Sequence, residues 1–293
     1  MLLMAERSRL AYTNLMEKAL TAPFVDVQPR KVVIPTSAGD TPIVIYKPQK
    51  NNDAPLPVFV NIHGGGFIQG STQDDDGWCR TISAAVDCAV VSIGYRLAPE
   101  HKFPVALEEC YDIVKWVHEQ AGNQKFDPER IAVGGSSAGG NLAAALCLLA
   151  WERREFSLVY QVLNYPPLDF SADPELKGRS DTLLTPRAQT FFTACYLRDV
   201  HDQRNPLASP LLNDNLAGLP PALIIAAEHD PLCSEDEAYG ECLSAAGVDV
   251  TVRIFAGCMH AFTHFGPEPA AMEAWGLIHK KLRQVFGDGL SKK

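Results

Sequence analysis

The chain has 293 residues, 46% of them apolar and 21% charged, with a formal net charge of −9. That length buries roughly three quarters of the unfolded chain's surface, and a single α/β domain spanning residues 1–293 is the expectation. The acidic balance argues against a nucleic-acid partner, which wants a basic face, and against stable membrane association through anionic lipids.

No run of 18 apolar residues is present, so no segment reads as spanning a bilayer. Met1-Leu2-Leu3-Met4 is followed at once by Glu6, Arg7 and Arg9, which denies it the apolar core of a signal peptide. The eight cysteines show no Cys-x-x-Cys pair, and several, such as Cys147, stand where a small hydrophobe fits. Reduced structural thiols in a cytoplasmic protein are the expectation.

In chain order, Tyr12, Leu15, Met16, Ala19 and Leu20 recur at helical spacing among polar residues and predict an amphipathic helix. Lys31–Ile34 and Ile43–Tyr46, separated by the turn signal Ser37-Ala38-Gly39-Asp40, read as an antiparallel hairpin. Buried-type strands then alternate with helices. The strands are Val58–Ile62, Ala89–Ile93, Ile131–Val133, Ala222–Ala226 and Val250–Phe255; Val105–Gln120 and Gly140–Trp151 are helical. Strands apolar on both faces and separated by helices imply a mostly parallel central sheet with helices on both faces. Right-handed crossovers place the loops after the strands along one edge. Between Asp169 and Leu219 the rhythm breaks around an aromatic patch, Phe191, Phe192 and Tyr196, on a helix predicted from Pro186 to Leu197. That segment reads as a lid above the strand edge, or as an edge helix packed on the core.

Four of the loops carry chemistry. After Arg130–Gly134 comes Gly135-Ser136-Ser137-Ala138-Gly139, a Gly-x-Ser-x-Gly between strand and helix. This is a nucleophile elbow, where a tight turn strains the serine backbone and Gly135 and Gly139 avoid a clash. Ser137 needs a base, an orienter for that base, and donors for an oxyanion. Asp230 follows the Ala222–Ala226 strand, with Ser234-x-x-Glu237 read as a capping box for the next helix. His260 follows Val250–Phe255. The order Ser137, Asp230, His260 is that of an α/β-hydrolase triad. Glu228 and Asp236 remain alternatives to Asp230. His229 and His264 read as structural, and His101, His118, His201 and His279 as surface or helix-face residues. His260 and His264 are four apart, as in helical zinc sites, but Ala261 stands where the catalytic form of that motif has glutamate. No metal is expected. His63-Gly64-Gly65-Gly66 follows the Val58–Ile62 strand, and its glycines can turn backbone N–H groups toward an oxyanion together with Ala138 N–H.

Jointly these residues resemble the hormone-sensitive-lipase-like (bacterial type IV) esterases of the α/β-hydrolase fold. The resemblance rests on His63–Gly66, Tyr95–His101, Phe103-Pro104, Asp127-Pro128, Gly135–Gly140, Asp230-Pro231-Leu232 and Met259–Phe262, and covers about residues 55 to 285. It implies a cofactor-free serine carboxylesterase acting on small-molecule esters, short acyl chains preferred. Gly65, Gly66 and Ala138 would form the oxyanion hole, with Gly64 and His63 supporting the turn. A small helical cap would come from about residues 1–30 and 170–215, and relatives often form homodimers through the edge strand and last helix, here near Val250–Ile254 and Ala270–Val285. The same triad also serves amide hydrolases such as arylformamidases and small peptidases, and relatives lacking the histidine are non-catalytic receptors. One departure stands out: the family usually has Asp, sometimes Thr, where this chain has Ser136.

Overall fold

The computed structural model describes residues 1–49, 54–177 and 183–288. The N-terminal hairpin pairs β1 (Pro29–Thr36) with β2 (Gly39–Tyr46); β1 is longer at both ends than the apolar run that announces it, and β2 starts four residues earlier than its own. β3 (Leu56–Ile62), helix α2 (Asp76–Val86), β4 (Ala89–Ile93), helices α3 (Val105–Glu119) and α4 (Ala121–Gln124), and β5 (Phe126–Ser136) follow. Beyond them come α5 (Ala138–Arg153) and β6 (Tyr160–Asn164), then α6 (Pro186–Tyr196), β7 (Ala222–Ala227) and α7 (Cys233–Ala245). The chain closes with β8 (Val250–Phe255), the single turn α8 (Phe262–Phe265) and the long α9 (Glu268–Asp288). Among the described residues the strands form one eight-stranded sheet in the order β1-β2-β4-β3-β5-β6-β7-β8. β1 and β2 are antiparallel, β2 meets β4 antiparallel, and every later pairing is parallel.

The alternation of side chains along the strands divides the core in two. Val58, Val60 and Ile62 of β3 and Ile131 and Val133 of β5 face α3, α5 and α7. Phe59 of β3, Ala132 of β5 and Ile225 of β7 face α2 and α9, where Trp78 stacks on Trp275 with centroids 4.5 Å apart. α5 is buried from Ala138 to Ala150, which explains a sequence apolar all round rather than striped. A parallel sheet covered on both faces leaves its carboxyl edge as the place where loops gather.

Three local expectations are corrected, and one strand was not foreseen. The first helix spans Leu2–Met16, so Ala19 and Leu20 lie past its end, and of its residues Ala5 alone is fully buried. Ser234 does not cap α7: the helix begins at Cys233, and the Oδ1 of Asp230 accepts the Leu232 N–H in the turn ahead of it. β6 escapes the search for apolar runs because it is buried on both faces yet carries Gln161 on one and Asn164 on the other, amides held by pairing, as where Gln161 donates to the Pro220 carbonyl at 2.9 Å. α6 ends at Tyr196. Its Tyr196 ring is buried and stacks on Phe67 at 3.7 Å, while Phe192 and Thr193 line the cavity described next.

Candidate active site

β5 runs straight into the elbow. Ser137 sits at φ +53°, a left-handed conformation that costs a non-glycine residue energy and persists only where its surroundings dictate it. Here they do. A Cβ on Gly139 would lie 1.9 Å from the Ile62 carbonyl oxygen, and one on Gly135 would lie 2.3 Å from the same atom. The Ser137 N–H donates to the Asn164 carbonyl at 2.8 Å, tying the elbow to the end of β6. Ser137 is also the N-cap position of α5, so its hydroxyl stands at the positive end of a helix macrodipole.

Asp230 and His260 reach Ser137 from the loops after β7 and β8, beyond the intervening β6. His260 Nε2 lies 2.9 Å from Ser137 Oγ, and His260 Nδ1 lies 2.6 Å from Asp230 Oδ2. A carboxylate only accepts, so Nδ1 carries the proton and Nε2 is left to accept from the serine hydroxyl. Asp230 is fully buried, and its second oxygen is occupied by the Leu232 N–H at 2.9 Å. The carboxylate therefore has a fixed orientation. Glu228 is exposed and accepts from Gly257 N–H at 2.7 Å, so it does not orient His260, and Asp236 lies within α7. His260 and His264 do not converge on a common point: His264 Nε2 faces Asp75 at 2.8 Å.

The glycine loop follows β3. Gly65 and Gly66 take φ of +113° and +59°, and the Gly65 carbonyl accepts from the N–H groups of Ile68 and Gln69 at 3.2 and 3.1 Å. His63 is buried, stacks on Tyr95 at 4.2 Å, and holds the Gly64 carbonyl at 2.8 Å from its Nδ1. Burial depresses the His63 pKa, keeping a neutral ring that supports the turn. Ala138 is the first residue of α5, so its N–H has no carbonyl one turn back to bond.

Gly64, Gly65, Gly66, Ser137, Ala138 and His260 all line one cavity of about 720 Å³. Other parts of its wall come from α1 (Tyr12, Leu15, Met16), from residues 169–174 with Lys177, and from α6. Ser136 lines it too; its hydroxyl accepts from Asn164 Nδ2 at 3.3 Å where the resembling family would present an acid. Sequence reading missed Asp75 and Asn61. Both are buried polar residues behind the site, and neither lies in a recognisable motif.

A family model described as the alpha/beta hydrolase fold matches residues 59–264. Over 260 residues the chain is 40% identical to the carboxylic ester hydrolase LipN of Mycobacterium tuberculosis, covering 86% of this chain and 69% of that protein. An arylesterase of Saccharolobus solfataricus is 34% identical over 249 residues, 84% of this chain and 80% of its own. The crystal structure of EstE1, a thermophilic carboxylesterase cloned from a metagenomic library, matches with TM-score 0.87 at 38% identity, over 97% of this chain and 96% of that one. The chain belongs to the α/β-hydrolase fold family, in its hormone-sensitive-lipase-like esterase branch. Within that class it is a serine carboxylic-ester hydrolase. Among the described residues no helix is long and apolar enough to cross a membrane.

Proposed function

We propose that ester hydrolysis here runs through Ser137, His260 and Asp230 by way of an acyl-enzyme. The observation that carries this reading is the unbroken relay of 2.9 and 2.6 Å from hydroxyl to imidazole to buried carboxylate. Ser137 Oγ attacks the ester carbonyl carbon while His260 Nε2 takes its proton, and Asp230 stabilises the imidazolium that forms. The oxyanion is held by the N–H groups of Gly65, Gly66 and Ala138, with Gly64 and His63 shaping the loop. Collapse of the tetrahedral adduct returns the Nε2 proton to the departing alcohol. Water, deprotonated by His260, then attacks the acyl carbonyl, and Ser137 leaves with the proton restored.

Residues 1–30 and 170–215 form the cap in this reading, although 178–182 lie outside the described residues. The preferred substrates are small esters with short acyl chains. Support comes from Phe192 of α6, whose ring crowds the Cα of Gly66 so closely that a Cβ there would meet it at 2.8 Å. A further relative, 34% identical over 236 residues, is an ethyl acetate hydrolase of Pseudomonas putida. The eight cysteines are free thiols, seven of them buried, which favours a reducing cytoplasmic setting. β8 is the outer strand of the sheet and carries a partly exposed Val252, which suits pairing of two copies there; light scattering after size exclusion reads that directly.

Ser137→Ala tests the mechanism. Turnover of a p-nitrophenyl short-chain ester falls by roughly a million-fold if the three residues act as a unit. Activity surviving at about a tenth of wild type ends the reading. A chain-length series of aryl esters tests the acyl preference, with a rise in kcat/KM beyond eight carbons counting against it.

A further inference from the structure

Behind His260 lies a second acid–imidazole pair that the proposed reaction does not use. Asp75 occupies the N-cap position of α2, where an aspartate ordinarily accepts from its own helix's first N–H groups. It makes no such bond. One carboxylate oxygen faces His264 Nε2 at 2.8 Å, and the other accepts from Asn61 Nδ2 at 2.8 Å. Both members of the pair are buried, and both line the wall of the substrate cavity. A charge withdrawn from water is costly unless it is paired and hydrogen-bonded, and both oxygens of this carboxylate are engaged.

The partners of this pair reach toward the glycine loop, the histidine turn and the elbow. Asn61 stands two residues before His63 and the glycine run, at the end of β3. His264 belongs to α8, the turn that begins two residues after His260 and follows Ala261 at φ +62°. His264 Nδ1 meets the hydroxyls of Thr263 at 3.0 Å and Tyr165 at 3.3 Å, and those two hydroxyls also bond each other. Tyr165 packs the edge of its ring against His260 with centroids 5.0 Å apart, and its chain neighbour Asn164 donates from Nδ2 to the Ser136 hydroxyl at 3.3 Å. Tyr165 is itself held by its N–H to the Ile225 carbonyl at 2.7 Å. A polar path thus runs from Asn61 through Asp75 and His264 to Tyr165, whose neighbour Asn164 bonds Ser136, the residue beside Ser137.

We propose that Asp75 and His264 are positioning residues which hold the histidine turn and the elbow in mutual register, and that the Asp75 carboxylate supplies from across the site the buried anion missing at Ser136. This rests on the triad reading above. Neither residue touches the reacting atoms. Asp75 acts on His260 through His264 and Tyr165, and on the glycine loop through Asn61. Its carboxyl is desolvated by burial, but hydrogen bonds from His264 and Asn61 outweigh that penalty and hold its pKa below the usual range, so the anion is present at neutral pH.

The test is a charge-transplant cycle measured on the full chain with a p-nitrophenyl acetate assay and thermal melts. Asp75→Asn and His264→Ala each lower kcat by about tenfold or more, since small misplacements of a catalytic group carry penalties of that order, while KM stays within about twofold. Ser136→Asp lowers kcat in the wild-type background, where it sets a second carboxylate on the same polar path. In the Asp75→Asn background it restores kcat by about fivefold or more, because the anion is returned at the other end. The proposal is overturned if both single variants keep kcat within twofold. It is equally overturned if Ser136→Asp changes kcat by the same factor in both backgrounds, or if kcat per folded molecule is unaltered and the melting temperature alone drops. Failure of the triad reading looks different: Ser137→Ala would then remain active whatever the cycle returned.

Discussion

The carboxyl edge of the sheet and the segments that cover it are built on opposite principles. At the edge, each functional residue is held by several independent constraints. Ser137 is fixed by β5, by the Asn164 carbonyl and by glycines packed against the Ile62 carbonyl, and Asp230 has both oxygens engaged. The cover is held at α1 by a few polar clamps, while the end of α6 is also seated in the core through Cys195 and Tyr196. Arg9 reaches from α1 to the carbonyls of Ile68 and Ala98 at 2.7 and 2.9 Å and forms a two-point ion pair with Glu100. Lys177 pairs with Glu235 at 2.5 Å, and Lys102 binds the carbonyls of Ala194 and Leu197 at the end of α6. Chemistry needs atoms held to within a fraction of an ångström, whereas admitting substrate needs a cover that can be lifted at modest cost.

That contrast can be broken from either side. On the rigid side, Asp230→Asn leaves the shape intact but offers His260 the wrong partner, and kcat falls about ten-thousand-fold with KM little changed; stopped-flow burst amplitudes would show acylation as the slowed step. Gly139→Ala forces a methyl group into the Ile62 and His63 carbonyl oxygens, at 1.9 and 2.6 Å. It costs about 3 kcal/mol or more of stability, and a thermal melt displaced by less than a degree would contradict the packing argument. On the cover, Arg9→Ala removes three anchors from α1 at once. KM rises by about tenfold, the equivalent of 1.4 kcal/mol, while kcat stays within twofold; a fall in kcat with KM unmoved would put α1 among the rigid parts instead.

The smallest effect comes from pH. The hydrogen bonds from Arg9 hold the Glu100 carboxyl down at about 2, against an ordinary value of 4.5. Because the folded value is depressed, the clamp contributes fully above the ordinary value and is lost as pH falls through the folded one. Glu100 is partly exposed, so solvent screens most of this. Hydrogen exchange of the α1 amides should therefore stay slow at pH 5 and quicken between 4.5 and 2, ahead of the sheet. Simultaneous loss of both would contradict an independently clamped cover.

Legibility in the sequence followed how local each constraint is. The elbow, the glycine loop and the positions of Asp230 and His260 were readable because a turn that tight admits few residues and leaves a spaced signature. The parallel strands were readable because burial on both faces demands uninterrupted apolar runs. β6 was not, since Gln161 and Asn164 interrupt its run and are tolerated only through partners remote in the chain. The Asp75–His264 pair was not either, its members lying 189 positions apart with no motif around either. α1 read short because its outer face is not polar: Leu2, Leu3 and Leu10 are exposed, so no stripe marks where it starts.

By itself the order of residues determined the α/β architecture, the serine elbow, the glycine loop and the loops that carry the candidate base and acids, because these rest on turn sterics and strand burial that act within a few positions. Tertiary structure alone decided which acid points at His260, how Ser136 is braced without a carboxylate, and what holds α1 over the cavity. Each of those turns on a hydrogen bond between segments far apart in the chain, and such a bond is specified only when the sheet has brought its two ends together.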